Sequence, residues 1–383
     1  MPIDFPNAPK VNDTFTSGGR TWSWDGGKWI AASTSGTAFV PDAPDAQGYA
    51  RQQGLWVPAQ TYGQGYVNKI RNGTFDVWQR GTGAISCPVA TSTYTVDGWI
   101  GNCLGAAITM QRNPNGRALT QYALAAIGAA GNTNVYLAQR IESAVVAPLV
   151  NLVCTFQIWI YNNSGATITP TFSWLAPTAV DNWSGQTIIV NAVSLQSCPS
   201  GAWTLLAYTF NAGACANGGE VQLNLPALLA GQSLVFAEAD LRATPGLAVG
   251  LQASPPPPEL RPISEESLFC YRYFETSYDN GVAPGTTNSA AGLQFYLTNL
   301  PSATYNAAMV ATFKAAKRAT PTLTLYSPIT GAAAKVRNLQ GNLDLNANVS
   351  NTGTTSFSIY NSVAAAAATN VNLGACWAAS AEL

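Results

Sequence analysis

The chain has 383 residues, of which only 10% are charged, with a formal net charge of −1 and no histidine. The missing imidazole excludes Ser-His-Asp and Cys-His nucleophile systems, His-ligated zinc and H-E-x-x-H sites. The absence of any basic run argues against nucleic acid, whose binding proteins carry clustered positive charge.

The N-terminal "MPIDFPNAPK" has neither a basic n-region nor an apolar h-region, and no stretch nears the ~18–20 apolar residues of a membrane span. The expectation is a chain folded in a cytoplasm, with no membrane insertion. "GGRTWSWDGGKWIAAS" (18–33) then places Trp22 and Trp24 two apart, on one strand face, before an Asp-Gly-Gly turn and Trp29. A second Pro-to-Trp run, "PDAPDAQGYARQQGLWVPA", repeats the pattern with Tyr49 and Trp56. Hairpins this small are marginal in water, so Trp22, Trp24, Trp29 and Trp56 must pack on each other, on another copy or on a partner. That reading places them in packing rather than in ligand binding.

Residues 57–69 form a soft break, and "ASPPPPELRP" (253–262) is the strongest linker, a stiff polyproline stretch expected to separate its flanks. The expected parts are residues 1–67, with two small hairpins; 68–250, a sandwich; 251–262, the linker; and 263–383, a distal β-domain. In "NGTFDVWQRGT", Phe75 and Val77 are assigned to one strand face, Asp76 and Trp78 to the other, with Arg80 pairing Asp76 or Asp97. Residues 118–131 are the weaker of two helix candidates. "LVCTFQIWIYNN" (152–163) alternates Cys154, Phe156, Ile158 and Ile160 against Thr155, Gln157, Trp159 and Tyr161. Further short β-branched or aromatic runs at even spacing predict an all-β fold, a sandwich or a barrel. The stronger helix candidate is "RPISEESLFCYRYF", with Ser264 as cap, Glu265 and Glu266 in the first turn and Pro262 barring extension upstream.

Seven cysteines form no C-x-x-C. The 87/103 and 198/215 spacings would each staple a hairpin, but the odd count favours buried thiols.

Several motifs then resemble one family. Tyr49, Arg51, Gly54, Trp56 and Val57 match N-terminal segments of bacteriophage tail-fibre proteins. "IRNGTFDVWQRGT" (70–82) with "YTVDGW" (94–99) is similar to the start of a β-sandwich module in tail and virion proteins, with Gly98 where that family usually has Arg. "LRPISEESLFCYRYFET" (260–276) resembles the element after that module, and "KRATPTLTLYSPITG" (317–331) and "WAASAEL" (377–383) its last domain. The resemblance implies that residues 68–250 form a jelly-roll-like sandwich similar to carbohydrate-binding modules, within a homotrimeric receptor-binding virion fibre assembled in a host cytoplasm. Its N-terminal segment would meet other virion proteins through Trp22, Trp24, Trp29, Tyr49 and Trp56. Its distal domains would meet a host surface glycan or protein, through 277–292 and the loops of 327–375.

Sugar sites combine an aromatic face with polar groups. Trp159 and Tyr161, together with Trp174, Asp181, Asn182 and Trp183 in "TFSWLAPTAVDNWSGQ", are the candidate ligand-binding residues. A glycosidase needs two carboxyls about 5–10 Å apart. Glu238 and Asp240, at i and i+2 of "VFAEADL", are the pair to weigh for a polysaccharide depolymerase, the first alternative. A decoration protein without receptor activity is the second. The expectation is a protein that is not an enzyme and needs no metal or cofactor; no loop signature supports calcium at Asp240.

Overall fold

A computed structural model describes residues 5–17, 20–32, 49–52, 55–58, 67–287, 293–300, 303–365 and 369–383. The chain divides into two compact units, Met1–Gly65 and Tyr66–Leu383.

In the first unit, strands β1 (Thr14–Ser17), β2 (Arg20–Trp24) and β3 (Trp29–Ala32) form an antiparallel meander, one strand more than a hairpin. Asp25 closes the β2–β3 turn by accepting the N–H groups of Gly27 and Lys28, both at 2.8 Å. Register sets Phe15 opposite Trp22 and Trp24 opposite Trp29. Phe5 joins them, its ring centroid 5.4 Å from those of Phe15, Trp22 and Trp29. Trp24 thus packs on Trp29, and Trp22 on Phe5 and Phe15. Strands β4 (Tyr49–Gln52) and β5 (Leu55–Pro58) form the second hairpin; the side chains of Tyr49 and Trp56 lie outside the described residues.

The sandwich uses β6 (Ile85–Cys87), β7 (Thr93–Tyr94), β8 (Ile100–Leu104), β9 (Ile108–Asn113), β10 (Ala123–Ile127), β11 (Asn134–Ile141), β12 (Val153–Asn163) and β13 (Thr171–Ala179). It continues with β14 (Asn182–Ser194), β15 (Trp203–Asn211), β16 (Gly219–Pro226), β17 (Ser233–Ala243) and β18 (Gly250–Leu251). One sheet runs β18-β15-β12-β17-β10-β9-β6, the other β14-β13-β16-β11-β8-β7. Between them Phe156, Ile158, Ile160, Phe172, Trp174, Phe210 and Leu223 are buried. The alternation read in 152–163 places the inward residues as expected. A short helix α1 (Ser143–Val146) follows β11.

Three local readings change. Residues 70–82 are not a strand: the Asn72 side chain donates to the carbonyls of Val77 and Asp97 and accepts the Val77 N–H, and Phe75 takes φ +58°. Phe75, Val77 and Trp78 are all buried as a result, and Arg80 pairs with Asp97 at 3.3 Å. Residues 118–131 contain β10, not a helix; its alanines suit a middle strand held between β9 and β17. Helix α2 (Ile263–Tyr271) is present, but Pro262 precedes it in the cap position and Ser264 makes no cap. Glu266 is buried in an ion pair with Arg261 at 3.1 Å and accepts the Asn72 N–H.

The prolines do not hold their flanks apart. Pro256 accepts from Gln157 at 2.7 Å, and Glu259 binds the Asn68 N–H at 2.6 Å, so this stretch lies along the sandwich. The distal part contains β19 (Phe274–Thr276), β20 (Leu293–Leu300), β21 (Ala303–Thr312), β22 (Thr322–Tyr326), β23 (Lys335–Asn338), β24 (Leu343–Asn346), β25 (Asn348–Ser350), β26 (Ser356–Ala365) and β27 (Thr369–Ser380). Its core centres on Phe357, Ile359, Leu373 and Trp377. It docks on the sandwich through Glu382, which pairs with Arg71 (3.2 Å) and Arg80 (2.9 Å). All seven cysteines are buried free thiols.

Candidate functional site

The outward residues of β12 divide the outer face of the seven-stranded sheet in two. Thr155 and Gln157 are covered: Thr155 bonds Thr209 and Thr244, and Gln157 reaches Pro256. Trp159 and Tyr161 stand on the uncovered half. Register puts Trp203 of β15 opposite Tyr161, with ring centroids 5.6 Å apart and planes tilted by 59°. Ala123, Ala125, Val235 and Ala237 form the small-residue floor on which Trp159, Tyr161, Trp203 and Ile127 pack. Small residues on the neighbouring strands leave the aromatic side chains standing proud of the sheet.

The loop between β9 and β10 brings Arg117 across this face, its guanidinium carbon 3.4 Å from the centroid of the Trp159 ring. Glu238 holds the loop, binding Arg117 at 2.7 Å and accepting the Leu119 N–H at 3.3 Å. Trp159 is thus capped by a cation, while Tyr161 and Trp203 are half-buried and, among the described residues, have none. The arrangement offers stacking surface beside a fixed guanidinium donor, a combination suited to sugar rings and their hydroxyls.

The six residues named from sequence do not form one site. Trp174 points inward with no exposed surface and donates its indole N–H to Ala212 at 3.0 Å; this corrects its assignment as a ligand residue. It packs so closely on Gly219 that a Cβ there would lie 2.1 Å from the indole. Asp181 accepts the N–H of Ser143 at 2.7 Å, tying the β13–β14 turn to the start of α1. Asn182 is exposed and folds back to the Ser184 N–H. Trp183 lies 5.0 Å from the Arg140 guanidinium on the other sheet, away from Trp159 and Tyr161. Trp203 went unnamed at the sequence level. Its signal was the alternation of "WTLLAYTF", which can place it outward but cannot say which strand lies beside it.

The carboxyl pair has no free member. Glu238 sits in a β-bulge at φ +53° and is spent on Arg117, whereas Asp240 is spent on Arg242 and the Glu259 N–H. Burial pushes the Asp240 carboxyl up and the Arg242 fork draws it back. Among the described residues no group of three or more Cys, Asp or Glu is placed to hold a metal.

No family model matches the chain, and no curated protein does. Among solved structures it is similar to the enzymatically active domain of tailspike protein 4 of bacteriophage CBA120, at 11% identity and a TM-score of 0.33 over 47% of this chain and 22% of that one. It is similar to the CBM22-1–GH10 modules of Clostridium thermocellum endo-1,4-β-D-xylanase 10B, at 12% identity and a TM-score of 0.32 over 47% and 29%. It is also similar to the CBM22-2 xylan-binding domain of Paenibacillus barcinonensis Xyn10C, at 12% identity and a TM-score of 0.29 over 39% and 94%. The chain thus spans less than a third of the first two. Likenesses at these scores carry no weight in reading the site, which rests on its own geometry.

Proposed function

We propose that this protein is a non-catalytic, carbohydrate-binding virion fibre, taking host surface glycan on the open half of the seven-stranded sheet. The observation that carries the binding is the Tyr161–Trp203 pair beside Arg117-capped Trp159 on a floor of small residues. The virion role is supported by the ordered tail-fibre motifs from "DAPDAQGYARQQGLWVPA" to "WAASAEL". A non-catalytic role is supported by the ion pairs that occupy Glu238 and Asp240. A trimer belongs to the same proposal. It is supported by β14, a 13-residue edge strand without a charged side chain, the kind of edge that monomers usually blunt with charge.

The test is calorimetric titration of the full chain with purified bacterial surface polysaccharides, alongside Trp203→Ala and Tyr161→Ala. The expected result is binding by the parent and a loss of about tenfold in each variant, with the melting temperature kept. Binding that ignores both substitutions overturns the site. Release of reducing ends from the polysaccharide would replace the fibre by a depolymerase.

A further inference from the structure

The bulge in β17 decides which way Glu238 points. Phe236, Ala239 and Leu241 face the core between the sheets, whereas Val235 and Ala237 belong to the outer face. Strict alternation after Phe236 would turn residue 238 inward as well. Instead, the register with β12 shifts between Gln157 and Trp159, so that Glu238 and Ala239 together stand opposite Ile158. Glu238 is the extra residue, at φ +53°. Its buried carboxylate is thereby carried to the outer face, where it binds Arg117 at 2.7 Å and accepts the Leu119 N–H. Bulges of this kind re-aim side chains, and positive φ at a buried non-glycine residue is strain the surrounding structure must hold.

What the bulge secures is the place of Arg117. Its Nη1 is taken by Glu238, while Nε and Nη2 have no hydrogen bond among the described residues and are not buried; the side chain is 23% exposed. Register pairs Thr109 and Gln111 of β9 with Ile127 and Ala125, so two half-buried, uncharged polar groups share this face with the aromatic rings. Among the described residues, the outward positions of β9, β10, β12, β15 and β17 on this half carry no charge besides the Glu238–Arg117 pair, which cancels. We infer that Glu238 is the positioning residue, and Arg117 the specificity-determining residue, of a site for a neutral glycan. A sugar face lies on the Tyr161–Trp203 pair, and hydroxyls of the chain accept from Nε and Nη2 of Arg117. A charged ring would bring its carboxylate to a site with no net charge to receive it. The inference rests on the aromatic face being the sugar site, and adds which sugars it takes and what holds the donor.

The experiment is titration of the full chain, at low and at physiological ionic strength, with an oligogalacturonate and with its carboxyl-reduced counterpart of equal length. The two ligands share linkage and ring and differ only in the charged group. The parent is expected to bind the neutral oligomer at least about tenfold tighter than the acidic one. Arg117→Lys keeps a cation for Glu238 but not the free guanidinium donors, and should weaken neutral binding about tenfold at an unchanged melting temperature. Glu238→Gln keeps the side-chain shape but leaves Arg117 unbalanced. The ratio of acidic to neutral affinity should then rise about tenfold at low salt and fall back as salt is added. A merely structural residue would weaken both ligands together. Neutral binding that ignores Arg117→Lys, a ratio unmoved by Glu238→Gln, or no neutral binding by the parent each overturns the inference. Trp203→Ala and Tyr161→Ala in the same titration report on the aromatic face. Loss there with the Arg117 and Glu238 variants unaltered overturns this inference alone, whereas no effect there overturns the face itself.

Discussion

The side chain of Arg71 lies directly across Gly98, whose φ is +85°; a Cβ at that glycine would sit 2.8 Å from Arg71 Cγ and from its Nε. In the tail-fibre pattern that "YTVDGW" resembles, position 98 is usually Arg. Here Gly98 clears the path by which Arg71 reaches the Arg140 carbonyl and Glu382. Gly98→Ala is expected to destabilise the fold by about 2–4 kcal/mol, from positive-φ strain and displacement of a buried cation. Chemical denaturation checks this, and a midpoint equal to the parent's sinks the relationship. Gly98→Arg, which sets a longer side chain against Arg71 at the same positive-φ position, should be worse still.

Much of the sandwich was legible because half-buried strands write their burial into alternate positions. Residues 152–163 show this, and Trp159 and Tyr161 were placed outward correctly. Where both faces are covered, alternation fails. Trp174 lies in a run buried from Phe172 to Ala176, so its polar-looking neighbourhood was misleading. The 118–131 region read as helical because alanine favours helix alone, whereas pairing with β9 and β17 decides the strand. The 70–82 segment misled for another reason: a single side chain, Asn72, replaces the backbone pairing a strand would need.

The acid response follows from Asp97. Burial pushes its carboxyl up to about 6, against the pull of Arg80 and Gln79. A folded pKa above the unfolded 3.8 means the native state binds more protons between roughly pH 4 and 6, so this group favours folding as pH falls. Glu220, Glu266, Asp240 and Asp76 are shifted up as well, while Glu142 and Asp344 are shifted down and act oppositely. The melting temperature is expected to hold or rise from pH 7 to 5.5. Asp97→Asn should remove about 1 kcal/mol of that pH dependence. A parent that loses stability steeply over this window, with Asp97→Asn losing it in parallel, contradicts the assignment.

Lys317 and Glu275 form an ion pair with no side-chain exposure, and Glu275 also accepts the Lys314 N–H at 3.0 Å. The Lys317 ammonium additionally meets the Tyr271 carbonyl at the end of α2, so the pair fastens the distal core to that helix. Lys317→Met should cost about 3–5 kcal/mol by stranding a buried carboxylate. The double variant Lys317→Met with Glu275→Gln should recover part of it, because the stranded charge is gone. A loss in the double variant equal to the sum of the Lys317→Met and Glu275→Gln losses would show that the pair is not coupled.

The thiols provide the last test. Burial pushes Cys87 and Cys154 up to about 12 and Cys198 and Cys215 to about 11, with Cys270 raised well above its ordinary value. The thiolate is the reactive form, so these groups are inert at neutral pH as well as inaccessible. Cys103 even turns its S–H to the Cys87 carbonyl at 3.2 Å, the two residues that hairpin spacing would have joined. An aromatic disulfide reagent at pH 8 is expected to find no fast-reacting thiol in the native protein and all seven in denaturant. Reductant should leave the melting temperature unchanged. Fewer than seven thiols in denaturant, restored by reductant, would instead establish a disulfide and return the 87/103 and 198/215 staples to the fold.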